Sequence, residues 1–483
     1  MGSEPLLYSL APAEPRWRRA PVAPSRGSRV GAASSPIASS PVLAPPALVR
    51  ATLARRPVLS TTVLASLLVL GFVLLRLAFA TSLDGFVVAS ERFVDPTRTP
   101  DRLEVVAETG GYDGQFVYRL AVDPWTVQPA EHGVRLDSPA YRQQRIATPV
   151  LAWTLALLPG LSITLALVLV NVAALLVAAG YGSRLAVESG RNPLCGLVLA
   201  FPACMPISLG RDLTEPVAWA AVLAGLWYAR CRRWGAAGVA LTVAVLARET
   251  SLVVVAGLAV SAVVKAARSV ARRRDAPATA SVGSRTAPTA GPEPGPEPGP
   301  EPGPEPGATS GIVSPAGSAG WLALPIAIGI GWQILLWQVW GSLPLRSGGS
   351  GNLGDLPLLG VFRSLVADLP DFTSSAISNP LVGVVVFGER LAVLALFCYA
   401  GLALLRDHGR LGTGEAVAWA LSVAMAMSLR SWSTDVQFLR AANEAVGLSL
   451  LVAVGDERVS GRLARSLGAG LVVSVALMYA ARQ

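Results

Sequence analysis

Histidine and cysteine are scarce in this sequence, and their scarcity excludes several kinds of site. The chain of 483 residues has two histidines, His132 and His408, so histidine clusters for metal binding or proton relay are excluded. Acid–base chemistry must therefore use carboxylates. The four cysteines lie in or beside apolar runs without a CxxC spacing, so we expect packing residues rather than a disulfide framework or a zinc site.

Charge is also scarce. Charged residues make up 15% of the chain and hydrophobic residues 52%, with a mean hydropathy of +0.51, which excludes an ordinary soluble protein. The apolar residues fall in runs of about 17–25, the length that a helix needs to cross about 30 Å of hydrocarbon. The sequence predicts an all-α polytopic membrane protein with about 11 transmembrane helices, in a range of roughly 10–12.

The net charge of +9 comes from short arginine clusters beside the apolar runs. This is the positive-inside pattern, which concerns orientation and not nucleic-acid binding. It predicts a multi-pass membrane protein with a cytoplasmic N-terminus and no nucleic-acid partner.

Two low-complexity segments divide the chain. Residues 1–56 are rich in proline, serine and arginine and have no signal-peptide core, so we expect a disordered cytoplasmic tail. Residues 275–319 repeat Pro-Glu-Pro-Gly, which is typical of an extended cytoplasmic linker. The linker separates an N-terminal membrane module, 57–274, from a C-terminal module, 320–483. Either low-complexity segment offers a place for a cytoplasmic protein partner.

A polar loop at about 81–145 follows the first apolar run, and residues 146–158 are too short to cross, so we expect an interfacial helix there. If residues 146–158 do not cross the membrane, the basic clusters after the later spans all fall on the cytoplasmic side, and the loop at 81–145 is external. The predicted spans cover about residues 57–80, 161–179, 193–209, 217–229, 235–247, 251–264, 321–341, 381–405, 414–430, 438–454 and 466–480.

The external loop carries the first candidate site residues. Asp113 stands among glycines, with Tyr112 and Gln115 beside it. An Asp-Gly turn is the structural alternative. Arg142 and Arg145 follow; their guanidinium groups suit a phosphate clamp, although snorkelling at the head of an interfacial helix would explain them equally.

Further charged residues fall at the same predicted outer interface. Glu215 opens a predicted helix, where a helix-start role alone would explain it. Arg248 and Glu249 lie close to the apolar zone, either as a local ion pair or as site residues. Asp435 and Arg440 begin another span, and a charged span start is the alternative reading.

Three motifs together resemble a family of bacterial membrane proteins linked with cell-surface glycopolymer formation. These are Tyr112-Asp113-Gly114-Gln115-Phe116, Leu213-Thr214-Glu215-Pro216 and Ala247-Arg248-Glu249-Thr250. More broadly, the architecture resembles the GT-C glycosyltransferases, which have an acidic residue in a large first external loop and a second acidic motif in the next. The resemblance implies sugar transfer from a polyprenyl-phosphate donor to a cell-envelope glycan or glycolipid acceptor on the outer face.

The resemblance also implies roles. Asp113 would be the catalytic base, and Arg142, Arg145 or Arg248 would stabilise the leaving phosphate. Glu215, the second candidate catalytic residue, and Glu249 could bind sugar hydroxyls, orient an arginine or join Asp113 around a divalent cation. The implied substrate- and phosphate-binding residues are Tyr112, Gln115, Arg142, Arg145, Arg248, Glu249, Asp435 and Arg440. The motif offers one aspartate where the best-known relatives have an adjacent acidic pair, so a divalent cation such as Mg or Mn, held by Asp113 with Glu215 and Glu249, is an open option.

Two other classes of function remain as alternatives. A transporter or flippase for lipid-linked glycans would use the same charges to line a path, but it would show internal repeats and mid-membrane charges. The sequence has no convincing repeat, and its charges cluster at one predicted face, which favours the enzyme. A non-catalytic assembly factor is the third reading.

Overall fold

The computed structural model describes residues 56–79, 82–105, 110–274, 315–347, 358–363, 366, 380–406, 411–428, 437–456 and 458. Within these ranges the chain is mostly helical, and the sheet is limited to a short antiparallel pair, β1 (Ala130–Glu131) and β2 (Val134–Arg135). The helices in the N-terminal half are α1 Pro57–Phe79, α2 Gly114–Val122, α3 Pro139–Gln143, α4 Ala147–Ala156, α5 Ile163–Glu188, α6 Cys195–Ala200, α7 Met205–Leu209, α8 Glu215–Arg230, α9 Trp234–Ala247 and α10 Leu252–Arg274. Those after the linker are α11 Pro315–Trp340, α12 Pro344–Ser347, α13 Pro380–Arg406, α14 Thr413–Met427, α15 Gln437–Ala441 and α16 Asn443–Gly455.

Among the described residues, five helices are long and apolar enough to cross a membrane. Their spanning segments are Val58–Phe79, Ile163–Glu188, Glu249–Arg268, Gly320–Trp340 and Phe387–Arg406. Four shorter apolar helices, α4, α9, α14 and α16, accompany them. The protein is therefore a multi-pass, all-α membrane protein, and the total of about 11 spans stays a prediction.

Several sequence predictions fall outside the described residues. These are most of the tail at 1–56, most of the linker at 275–319, the last span at 466–480, and the residues His408 and Asp435. The four cysteines are all described as free thiols: Cys204 is buried, Cys195 is half-buried, and Cys231 and Cys398 are exposed, so burial among packed side chains holds for Cys204.

The prediction of one continuous span at 193–209 is wrong. The chain forms two short helices there, α6 and α7, with residues 201–204 between them. Pro202 lies in this break and has no N–H to continue a helix, and Pro206 stands in the first turn of α7, where proline is tolerated. The predicted span at 438–454 is likewise divided, into α15 and α16.

Helices from both sides of the linker pack together in one compact unit. Helix α11 lies against α9 and α10, and α14 lies against α10. The fully buried Trp219 of α8 contacts α16 so closely at Gly447 that an added Cβ would collide with the indole ring. This packing brings the C-terminal helices beside the first loop.

The first loop is anchored to the helices by backbone groups. Arg76, near the end of α1, donates a hydrogen bond to the carbonyl of Gly85 at 2.6 Å, so this arginine faces protein. At Gly114 an added Cβ would collide with the backbone carbonyl oxygens of Val87 and Arg211. Glycine therefore allows the start of α2 to lie directly against the loop that precedes α8.

Candidate active site

The carboxylate of Asp113 is not used to build the turn that contains it. Asp113 precedes α2, and its backbone carbonyl accepts hydrogen bonds from the amides of Phe116 and Val117 at 3.0 and 3.2 Å. Its side chain makes no capping bond to α2. A simple Asp-Gly turn therefore does not explain the position of the carboxylate.

Two arginines bind the two oxygens of Asp113. Nη1 of Arg142 lies 2.8 Å from Oδ1, and Nη1 of Arg440 lies 3.0 Å from Oδ2. Burial by itself would raise the pKa of Asp113, but the charges of Arg440 and Arg142 outweigh burial and hold that pKa well below its usual range. In this resting arrangement the carboxylate is ionised and a weak base.

Arg142 is held in place from two sides. Its Nε and Nη2 donate to the two oxygens of Asp137 at 2.8 and 2.7 Å, in a bidentate pair. Its guanidinium also lies over the ring of Phe116, with Cζ 4.3 Å from the ring centroid. Bidentate pairing and ring stacking fix both the position and the plane of a guanidinium group.

Arg440 connects the first loop to the buried Glu215. Its Nε donates to Oε1 of Glu215 at 2.8 Å, and its Nη1 donates to the hydroxyl of Tyr112 at 3.1 Å. Arg248 adds a second cation, with Nη1 3.7 Å from the same carboxylate oxygen and hydrogen-bonded to the backbone carbonyl of Arg440. Glu215 is fully buried, so these two arginines balance a charge that solvent does not reach.

Glu249 binds Arg145 rather than its neighbour in sequence. Nε and Nη2 of Arg145 donate to the Glu249 carboxylate at 2.9 and 2.6 Å, and Nη2 also donates to the hydroxyl of Tyr141 at 2.8 Å. Because Glu249 bonds to Arg145 while Arg248 turns to Glu215, the alternative of a local Arg248–Glu249 ion pair is wrong.

These groups surround a cleft of about 310 Å³, its open mouth included. The polar lining consists of Asp113, Arg142, Arg145, Thr214 and Arg440. The apolar lining consists of Phe116, Val117, Leu120 and Leu213. The cleft thus presents three guanidinium groups and one carboxylate beside an apolar surface.

The structure brings together nearly all the residues that the sequence predicted. The cleft is lined by Asp113, Arg142, Arg145 and Arg440, and these are contacted by Tyr112, Glu215, Arg248 and Glu249. Gln115 lies elsewhere: it is buried, and its side-chain oxygen accepts a hydrogen bond from the Ser90 amide at 3.2 Å, which holds the loop. Asp435 is outside the described residues.

Three residues that support the cleft were not among the predicted site residues, although Tyr141 lies in the segment that carries the family resemblance and Glu444 belongs to the charged span start with Asp435 and Arg440. Asp137 orients Arg142, and Tyr141 contacts Arg145. Glu444 is buried and accepts hydrogen bonds from Thr250 and Ser251, at 2.8 and 3.2 Å, which fixes the backbone after Glu249. The sequence gives only weak signals for these contacts. Asp137 lies five residues before Arg142, and Glu444 lies four residues, about one helical turn, after Arg440.

The donor groups at the cleft do not suit a divalent cation in this arrangement. Both oxygens of Asp113 and both of Glu249 are bound by arginine. At Glu215 both arginines approach Oε1, so Oε2, which is buried without a hydrogen-bond partner, is a single remaining donor atom among these three carboxylates. Among the described residues, three candidate ligand atoms do approach one another within 4.8 Å at Asp123, Glu131 and His132, but these residues do not line the cleft.

The fold and the site together define a multi-pass helical membrane protein with an arginine-lined, partly apolar cleft. Comparisons with protein-family models, curated proteins and solved structures find no match to this chain. Its function must therefore be argued from the chemistry of the cleft.

Proposed function

We propose that this protein is an integral membrane glycosyltransferase that uses a polyprenyl-phosphate-linked sugar as donor. It transfers the sugar to a cell-envelope glycan or glycolipid on the external face of a bacterial plasma membrane. The observation that carries the proposal is the composition of the cleft, where three arginines and a carboxylate adjoin an apolar surface. A lipid-linked sugar phosphate has the same two parts, an anionic group and a hydrocarbon chain.

The arginines suit the phosphate of the donor. In the transfer, negative charge grows on the phosphate oxygen that leaves with the lipid, and cations already in position stabilise it without reorganisation. Arg142 and Arg145 are held by bidentate pairs with Asp137 and Glu249, so their guanidinium groups are ordered before the donor binds. Arg440 is ordered by one hydrogen bond from its Nε to Glu215 and another from its Nη1 to the Tyr112 hydroxyl.

Asp113 becomes basic when the donor binds. A phosphate that takes over Arg142 and Arg440 frees the carboxylate oxygens, and loss of those cations raises the pKa of Asp113. The carboxylate then accepts the proton of the acceptor hydroxyl. The hydroxyl oxygen forms a bond to the anomeric carbon, the bond from that carbon to the phosphate oxygen breaks, and polyprenyl phosphate leaves with inversion.

Of the roles left open for Glu215, the hydrogen bond from Arg440 favours the orientation of an arginine. Glu215 lies behind Arg440, fully buried and outside the lining of the cleft. We assign it as a positioning residue that orients Arg440, not as a group that touches the substrate.

One observation favours a second candidate, a non-catalytic protein or flippase that binds lipid-linked glycans. Both oxygens of Asp113 are bound in the resting state, which suits a binding site as well as a base. The two candidates differ in whether Asp113 matters for chemistry or only for binding.

A transfer assay on the purified protein separates them. Wild type, Asp113→Asn and the control Asp123→Asn are each incubated with radiolabelled polyprenyl-phosphate sugars and extracted cell-envelope acceptors. Asp123 lies in the same loop, but its carboxylate accepts from the Trp125 amide at 3.2 Å and does not line the cleft. We expect transfer by wild type and control, and a loss of about 100-fold or more in Asp113→Asn.

Two results would contradict parts of the proposal. Transfer that survives Asp113→Asn would keep the enzyme but remove Asp113 as its base. Donor binding without transfer in the wild type, with binding lost on Arg142→Gln, would favour the non-catalytic reading.

A further inference from the structure

A second group of aromatic and basic residues lies where α5 meets α8, and it shares no residue with the cleft. The hydroxyls of Tyr181 and Tyr228 lie 2.6 Å apart. Their rings pack edge to face, with centroids 5.6 Å apart. Two hydroxyls that share one hydrogen bond use one of their two hydrogens, so the other remains available to a ligand.

Two arginines flank this tyrosine pair. Cζ of Arg184 lies 5.3 Å from the Tyr181 ring centroid and 5.8 Å from that of Trp227. Cζ of Arg233 lies 5.3 Å from the Tyr228 ring centroid. Stacking on aromatic rings holds both guanidinium groups beside the hydroxyl pair and leaves their N–H edges available.

The two arginines stand apart from the ion pairs that the structure describes near them. In the part of the chain that the structure describes, neither Arg184 nor Arg233 has a carboxylate within 4.0 Å. The nearby acids are already used, because Arg230 binds Glu415 at 2.6 Å and Glu188 at 3.2 Å. The two exposed guanidinium groups and the spare hydroxyl hydrogen therefore form a cationic donor set.

An exposed apolar stripe on α5 leads to this donor set. Leu169, Ala173 and Val177 are exposed and spaced by four residues, so they share one face of the helix with Tyr181. At a rise of 1.5 Å per residue, the twelve steps along the helix from Leu169 to Tyr181 span about 18 Å. That length matches an extended acyl chain of a membrane lipid.

We propose that this surface binds an anionic phospholipid. Its phosphate lies between Arg184 and Arg233 and accepts the spare hydroxyl hydrogen of the tyrosine pair, while one acyl chain lies along the stripe of α5. Basic pockets between membrane helices that carry aromatic residues recognise such headgroups. The lipid would join α5 to α8, the helix that begins at Glu215.

Native mass spectrometry on the full-length protein in detergent tests the site directly. The protein is titrated with dioleoyl-phosphatidylglycerol and, separately, with dioleoyl-phosphatidylcholine, and bound lipids are counted. The variants are R184Q/R233Q and the control R268Q. Arg268 is exposed on α10 and stacks on no described ring, so its change removes charge without touching the site.

We expect wild type and R268Q to bind phosphatidylglycerol about tenfold more tightly than phosphatidylcholine. The double variant should lose this preference while its melting temperature stays near that of wild type. Y181F/Y228F should weaken phosphatidylglycerol binding by about threefold, the cost of one hydrogen bond, whereas either single change leaves one hydroxyl hydrogen for the phosphate.

Three results would overturn the proposal. The preference could persist in R184Q/R233Q, or R268Q could lose it to the same extent, which would indicate general surface charge. Displacement of the lipid by millimolar glycerol phosphate would show that the acyl chain contributes nothing and that the site takes free phosphate esters.

Discussion

The pair formed by Arg440 and Glu215 gives the sharpest test of how the cleft is held. Arg440→Gln would leave the fully buried Glu215 carboxylate with Arg248 as its nearest cation, at 3.7 Å. Breaking a buried pair by removing one partner costs about 3–5 kcal/mol. Because Arg248 would still balance part of the charge of Glu215, we expect the free energy of unfolding to fall by about 3 kcal/mol.

A double-mutant cycle separates the pair from its surroundings. Glu215→Gln removes the buried charge and leaves Arg440 bound to Asp113 at 3.0 Å. The double variant Glu215→Gln/Arg440→Gln has no uncompensated charge at this pair, so it should be more stable than Arg440→Gln. We expect a coupling energy of about 2 kcal/mol, in the range measured for groups in one ionic network.

The measurement is denaturant unfolding in detergent micelles, followed by tryptophan fluorescence. Arg98→Gln is the control, because Arg98 pairs with Asp95 at 3.4 Å and both side chains are exposed, at 80% and 48%. Such a surface pair should contribute at most about 1 kcal/mol. The reasoning is refuted if Arg440→Gln destabilises no more than the control, or if the effects of the two single changes simply add.

Three further predictions concern the same cleft. Gly114→Ala should destabilise the protein by about 1–3 kcal/mol because its Cβ would meet backbone, whereas Gly110→Ala, with nothing within 4 Å, should be near neutral in the same unfolding assay. The pKa of Asp113 is lowered by its two arginines, so its contribution to stability is complete above the unfolded pKa of about 4 and is lost as pH falls from there through the folded pKa. The melting-temperature difference between wild type and Asp113→Asn should therefore be constant from about pH 7 to pH 5 and shrink below about pH 4; a difference that shrinks between pH 7 and 5 would contradict the lowered pKa. Arg142→Lys keeps the charge but cannot form both the bidentate pair with Asp137 and the bond to Asp113, so donor affinity should fall about tenfold, and a lysine variant with wild-type affinity would refute the role of the guanidinium plane.

The sequence by itself determined where most membrane helices lie. The predicted spans at about 57–80 and 381–405 correspond to Pro57–Phe79 and Pro380–Arg406. Such helices follow from the length of an apolar run, which is a local property of the chain. The candidate site residues were also predictable from the sequence, because ionised side chains close to apolar membrane segments are energetically costly and tend to be functional.

Only the tertiary structure decided which charges meet. Arg440 binds Asp113 across 327 residues of sequence, and this contact depends on how α15 and α16 pack beside the first loop. The interpretation of Arg248 and Glu249 as a local ion pair failed for the same reason, whereas the prediction of a continuous span at 193–209 failed on a local feature, the proline at 202. Each partner of a buried charge is chosen by which helices pack together, and nothing in the residues next to it in sequence carries that information.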